Sequence, residues 1–231
     1  MTMSKKALSL FLLLPVIQVA IAQDTCDAST LNTTAGTWPV TSTDTIFSIA
    51  ASTSRGVCNI ARANRMADAT LMVAGETLLI PAESCAQDTD NTTCLVPNTT
   101  YYATCVPGGL HTYNARYNDT RARVALKFQV SLDTITTLGA NASAQPVDKI
   151  IAADTQIKIP QCSPSQCTVQ PYTFTFGTYV DLAKEFNTTV GQIMAFNPTY
   201  NYSSKANVRD SPTISMPMNC ANLTWDITVV S

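Results

Sequence analysis

Asp44-Thr45-Ile46-Phe47-Ser48-Ile49-Ala50 and, thirty residues on, Gly75-Glu76-Thr77-Leu78-Leu79-Ile80-Pro81 decide how this chain is read. Between them stand Val57-Cys58-Asn59-Ile60, Ala61 and Asn64. Trp38-Pro39-Val40 reads as a short strand. Thr43 to Thr45 carry side-chain oxygens that accept the free N–H groups of a helix start. Ile46, Ile49 and Ala50 then fall on one helical face. Ser54-Arg55-Gly56 breaks that helix. Val57, Ile60 and Ala61 begin a second apolar face, ended by Asn64, a residue that tolerates the left-handed cap conformation. A polar loop from Arg65 to Val73 leads to a strand stopped at Pro81. The predicted order is strand, helix, helix, strand.

The same physics recurs twice with other letters. A second copy runs from Tyr113 through Asp119-Thr120 to Ile157-Lys158-Ile159-Pro160. Val124, Ala125 and Phe128 line its first helix, Leu132 and Ile135 its second, and Gly139 stands where Asn64 stood. A third copy runs from Tyr172 through Thr178-Tyr179 to Ile214-Ser215-Met216-Pro217. Tyr179, Leu182, Ala183 and Phe186 line one helix, Val190, Ile193 and Met194 the next, and Asn197-Pro198 ends it. Repetition of a small unit turns attention from a single active site to what an array of modules binds. The expected fold class is α+β, three small βααβ modules at 36–82, 109–161 and 168–219. A linker at 83–108 and a tail at 220–231 complete the chain.

Residues 1–22 read as a secretory signal: Lys5 and Lys6, an apolar run from Ala7 to Ala20, then a small-residue cleavage site before Gln23. The expected localisation is therefore extracellular. No later run reaches the ~20 apolar residues of a membrane span. Without the signal's two lysines, 12 basic and 16 acidic residues remain, a net charge of −4. That balance gives no footprint for nucleic acid or a lipid surface, so neither is an expected partner.

Eight cysteines follow the signal: Cys26, Cys58, Cys85, Cys94, Cys105, Cys162, Cys167 and Cys220. An even count in a secreted chain reads as four disulfides. Cys105 and Cys162 bracket the second unit, and Cys167 and Cys220 the third, but eight cysteines allow 105 connectivities. His111 is the single histidine and no Cys-x-x-Cys pair occurs, so a metal site, a cofactor and a Cys–His nucleophile are not expected. Nor do the acidic residues form the positioned pair that glycoside hydrolysis needs. Eight Asn-x-Ser/Thr triplets, at Asn32, Asn91, Asn98, Asn118, Asn141, Asn187, Asn201 and Asn222, predict N-glycosylation at exposed positions.

Trp38, Tyr113 and Tyr172 are expected in strand and core packing, as are Phe128 and Phe186. Arg116, Arg121, Arg123 and Lys127 read as a solvated face. Asp44-Thr45 serves as a helix cap, a ligand contact, or both.

Taken with the three repeats, the signal and the cysteine layout, including the Cys162/Cys167 pair, the motifs of residues 44–81 resemble the secreted three-module LysM effectors of fungi. The resemblance covers about residues 23–222. It implies a two-stranded sheet with both helices on one side, and binding of chitin or N-acetylglucosamine oligomers without catalysis. It places the sugar in a shallow groove between two loops. In the first unit these are Thr43, Asp44, Thr45 and Ile46, facing Asp68, Ala69, Thr70, Leu71 and Met72. In the third they are Gly177, Thr178 and Tyr179, facing Tyr202, Ser203, Ser204 and Lys205. In the second they are Asn118, Asp119, Thr120 and Arg121, facing Val147, Asp148, Lys149 and Ile150. A glycan on Asn118 or Asn201 is expected to obstruct the second or third groove. The resemblance further implies sequestration of chitin fragments from host receptors, or shielding of hyphae from chitinases with self-association on the polymer. The long linker permits a clamp between the first and third grooves. The alternative is a glycoprotein whose grooves have drifted toward another glycan or a host protein.

Overall fold

A computed structural model describes residues 26–137, 146–200 and 211–230. The signal sequence, Gly139, Asn141, Asn201, Tyr202, Ser203, Ser204 and Lys205 lie outside the described residues. Helix and strand are mixed along the chain and four disulfides staple it.

The first segment folds as the periodicity predicts. Strand β1 (Gly36–Pro39) is followed by α1 (Ile46–Thr53), α2 (Val57–Ala63) and β2 (Thr77–Ile80). β1 and β2 pair antiparallel, Trp38 opposite Leu78. Thr45 caps α1 by accepting from the Ser48 N–H at 3.0 Å, and the Ser48 hydroxyl accepts in return from the Thr45 N–H. Ile46, Ile49, Val57, Ile60, Leu78 and Ile80 bury their apolar faces together. Asn64 ends α2 as expected, for a different reason. Its φ is −94°, not left-handed. Its side-chain amide is fully buried and donates to the Ile60 and Leu79 carbonyls at 2.8 and 2.7 Å. Its Oδ1 accepts from the Leu79 N–H at 2.7 Å. It ties helix end to strand, satisfying buried and part-buried backbone groups.

The second segment departs from the expected βααβ order. β3 (Val106–Pro107) and β4 (Thr112–Asn114) precede α3 (Arg121–Phe128), capped by Thr120. In place of a second helix there is a 3₁₀ turn at Leu132–Thr134, then strand β5 (Thr136–Thr137). The run Thr134-Ile135-Thr136-Thr137 is β-branched throughout, which disfavours helix and suits an extended chain. β5 pairs with β6 (Gln156–Lys158), which also pairs with β4.

β7 (Gln161–Ser163) leads to β8 (Ser165–Thr173), then α4 (Tyr179–Glu185), α5 (Val190–Phe196) and the long β9 (Thr213–Asn222), antiparallel to β8. Asn197 repeats the device of Asn64, donating to the Ile193 and Ser215 carbonyls and accepting from the Ser215 N–H. α3 and α5 lie so close that a Cβ on Gly191 would come within 2.5 Å of the Phe128 ring. A single apolar core spans the second and third segments and takes in Ala67 and Leu71 from the first.

Two expected connectors are structural parts. The linker at 83–108 is docked along the first segment rather than loose. Disulfides Cys26–Cys85 and Cys58–Cys94 hold it there. The Asp90 carbonyl accepts from the Cys58 N–H at 2.8 Å, and Asn91 Oδ1 accepts from the Val57 N–H at 3.0 Å. The tail at 220–231 completes β9 and forms β10 (Thr228–Val230), which pairs with β7. Cys105–Cys162 and Cys167–Cys220 are the two bracketing disulfides.

Candidate functional site

A groove with a volume of about 620 Å³ lies on the first segment. One wall is the turn from Val40 to Phe47, the other is Thr70 and Met72–Ala74, and Tyr117 and Asn118 of the second segment close one end. Asp44 builds the first wall. Its Oδ2 accepts from the Thr41 N–H at 2.8 Å, the Thr41 hydroxyl at 2.9 Å and Trp38 Nε1 at 3.2 Å. Those donors, the Thr41 N–H foremost, hold its carboxyl below the usual carboxylate range. The carboxylate is thus spent on the turn. The groove offers hydroxyls from Thr41, Ser42, Thr43, Thr45 and Thr70 beside apolar Ile46, Phe47, Met72, Val73 and Ala74.

Of the residues named from sequence, Thr43, Asp44, Thr45, Ile46, Thr70 and Met72 meet in this groove. Asp68, Ala69 and Leu71 are buried and do not line it. Asp68 turns the other way, to Arg123 Nη2 at 2.8 Å and Lys127 Nζ at 3.6 Å. Burial pushes its carboxyl up, but those two cations and the Thr70 donors outweigh it, and the group sits below the usual carboxylate range.

The basic cluster of the second segment is therefore not a solvated face. Lys127 is 1% exposed and Arg116 5% exposed. Lys127 Nζ donates to Asp119 Oδ1 at 2.7 Å, and Asp119 Oδ2 accepts from Tyr113 Oη at 2.6 Å and the Arg116 N–H at 2.8 Å. Helix periodicity cannot disclose this, because the carboxylate that meets Lys127 and Arg123 comes from a loop of the first segment.

The two loops of the second segment are bonded to each other. The Ile151 N–H donates to the Asp119 carbonyl at 2.7 Å, and the Ala122 N–H to the Val147 carbonyl at 3.2 Å. Thr120 and Ile150 form a β-bridge between those bonds. No gap separates the stretches 118–121 and 147–150, and Asn118 faces the first segment's groove instead. A glycan there would therefore stand at the first groove, not the second.

In the third segment the Gly177 N–H donates to the Arg62 carbonyl and the Tyr179 N–H to the Met66 carbonyl. Thr178 and Tyr179 are buried. Tyr200 packs against Tyr179 with ring centroids 5.3 Å apart and planes tilted by 34°, and donates to the Arg65 carbonyl at 2.8 Å. Arg62 forks onto Asp181 at 3.0 and 2.8 Å and also binds Asp90 at 2.7 Å. Gly177, Thr178 and Tyr179 form a joint with the first segment. Sequence reading missed Tyr117, Phe47, Val73 and Ala74 as groove residues. Phe47, next to the helix cap and off the buried face of α1, was the available signal.

The described acceptors Asn32, Asn91, Asn98, Asn118, Asn187 and Asn222 are all exposed. Among the described residues no cluster of His, Cys, Asp or Glu could hold a metal ion.

The family model for the LysM domain matches residues 40–81, the stretch that builds both groove walls of the first segment. The chain is 44% identical over 207 residues to the secreted LysM effector LysM13 of Penicillium expansum, covering 89% of this chain and 88% of that protein. The chain belongs to the secreted LysM effectors. This LysM effector is also 35% identical over 183 residues to the secreted LysM effector ECP6 of Passalora fulva, covering 78% and 77% of the two chains. A third relative, the secreted LysM effector ELP2 of Colletotrichum higginsianum, is 36% identical over 118 residues, 51% of this chain and 62% of its own. Like these relatives the LysM effector is a secreted protein. Among its described residues no helix is long and apolar enough to cross a membrane.

Proposed function

We propose that this protein binds chitin oligomers in the groove of its first segment, without catalysis. In this reading it keeps chitin fragments from host receptors or shields hyphae from chitinases. The carrying observation is the groove's chemistry. Hydroxyls and backbone groups on two facing loops suit the amide and hydroxyls of N-acetylglucosamine. Met72, Ile46 and Ala74 offer an apolar seat for its methyl group. The one carboxylate on the wall has its Oδ2 engaged by three donors of its own turn. A neutral sugar needs no charged partner, and burying an unpaired charge against it would oppose binding.

The second and third segments are proposed as LysM modules that have become scaffold. The second has its loops bonded together, and the third has its first loop bonded to the first segment. In this reading the first segment's groove is the one that stays open among the described residues. A two-groove clamp requires the Arg62–Asp181 joint to open first.

Calorimetric titration with a chitin hexamer tests this. One site per chain is expected. Met72→Asp, which puts a charge where the acetyl methyl would sit, is expected to weaken binding by roughly tenfold or more. Val147→Asp, on the closed loop of the second segment, should leave affinity unchanged. Absence of heat together with failure to pull down on insoluble chitin would sink the reading in favour of a drifted groove serving another glycan or a host protein.

A further inference from the structure

The wall that closes the first segment's groove belongs to a different segment, and it carries a modification motif. Tyr117 and Asn118 line the groove together with residues 40–47 and 70–74. Asn118-Asp119-Thr120 is an N-glycosylation triplet in a secreted chain. Asn118 is exposed, with φ +61°, at the tip of a turn. That turn is held on both sides. The Asp119 N–H donates to the Arg116 carbonyl at 3.0 Å, and the Arg116 N–H donates back to Asp119 Oδ2 at 2.8 Å. Asp119 is anchored in turn by buried Lys127. The tip therefore stays at the groove. Of the six described acceptor asparagines, Asn118 alone lines it.

The chemistry of the modification gives this position its meaning. An N-linked glycan begins with two β-1,4-linked N-acetylglucosamine residues, the same disaccharide that repeats in chitin. A glycan on Asn118 thus fixes the groove's own class of ligand to the groove's wall. A cavity of about 620 Å³ falls in the range that holds ligands of that size.

We propose that Asn118 is glycosylated and that the first sugars of its glycan occupy the first segment's groove as a tethered competitor of external chitin. The inference rests on the chitin reading of that groove. A short tether gives an effective concentration in the millimolar range. Against a shallow site of sub-millimolar affinity, that weakens the apparent binding of an external oligomer by roughly tenfold. Glycan occupancy at one residue then sets how much chitin is needed before the protein responds, and glycans at the other described acceptors leave the groove open.

The test compares secreted, glycosylated parent with Asn118→Gly, which keeps the left-handed turn open to the backbone. Asn118→Gln, which adds no charge to the groove, serves as a second unmodified form and Asn98→Gln as a control that loses a glycan elsewhere. Peptide mass spectrometry reads occupancy at Asn118. Titration with a chitin hexamer reads affinity, and hydrogen exchange without added sugar reads protection of residues 43–46 and 70–74. Expected are an occupied Asn118, roughly tenfold tighter hexamer binding in both Asn118 variants, and faster exchange in those two stretches. Asn98→Gln should match the parent. An unmodified Asn118, or equal affinity and exchange in all forms, overturns the inference and leaves the chitin reading standing. If no form binds the hexamer, the chitin reading fails and the tethered-competitor inference fails with it.

Discussion

Trp38 and Tyr113 each stand six residues ahead of an aspartate, and the two aspartates build the same turn. Asp44 Oδ2 accepts from the Trp38 ring N–H and the Thr41 N–H. Asp119 Oδ2 accepts from the Tyr113 hydroxyl and the Arg116 N–H. Each turn then delivers a threonine that caps the next helix. The local structures match, yet one turn borders a groove and the other does not. The difference lies in what faces them. The loop opposite Asp44 is drawn aside because Asp68 bonds to Arg123 and Lys127 of the second segment. The loop opposite Asp119 is zipped onto it by backbone bonds through Ile151 and Ala122. A groove in this protein is therefore a tertiary property. The motif makes one wall, and the neighbouring segment decides whether the other wall stands off.

The strongest way to break the comparison is to remove Lys127. Its amine sits between Asp119 and Asp68, all three nearly free of water. Lys127→Met keeps much of the apolar stem and leaves two buried carboxylates short of a cation. Removing one partner of a buried ion pair costs about 3–5 kcal/mol. Urea denaturation should show a loss of that size. A loss within 1 kcal/mol would mean that Arg123 and water replace the amine, and that the two turns differ for another reason.

How each segment joins strand to helix sharpens the comparison further, and it bears on what the sequence discloses. The apolar faces of α1, α2, α4 and α5 were legible, as was the threonine cap of α1, because both depend on neighbours within a turn. Asn64 and Asn197 were legible as helix ends, while their grip on Leu79 and Ser215 was not, since it spans a loop of unfixed path. The missing helix at Leu132–Ile135 was foreshadowed by the β-branched run that follows it. The closure of the second segment's loops, the docking of residues 177–179 and the contact of Lys127 with Asp68 had no local signal, because each needs a partner far along the chain. Half of the groove was readable for the same reason: Thr43 to Ile46 are local to a cap, whereas Tyr117 and Asn118 arrive from the next segment. Asn64→Ala should cost about 1–3 kcal/mol, since the part-buried Leu79 N–H and carbonyl lose their side-chain partner and the Ile60 carbonyl keeps only the Asn64 backbone N–H. Asn197→Ala, where the matching bonds are closer to solvent, should cost less than half of that in the same denaturation series. Equal costs would remove burial as the reason for the difference.

The third segment has Gly177, ahead of the capping Thr178, where the others have aspartate, and its carboxylate has moved to Asp181. Asp181 accepts from the Thr178 N–H at 2.8 Å, so it supports its own turn, and it also takes the fork of Arg62. Burial pushes the Asp181 carboxyl up, but the bonds from Arg62 and Thr178 outweigh that, and the group lies below the usual carboxylate range. The sign follows from linkage. A depressed folded value favours the folded state at pH above the unfolded value of roughly 4, and the benefit is lost as pH falls through the folded value. Both partners are partly exposed, 19% for Arg62 and 30% for Asp181, so the pair is worth about 1 kcal/mol. Asp181→Asn should lower stability by that amount at pH 7 and converge with the parent as the buffer is taken below pH ~4. The variant should also bind chitin hexamer like the parent if the first groove acts alone. A change in the number of sites per chain would mean that the joint between the first and third segments had been hiding a second groove, and would replace the single-groove reading with a clamp.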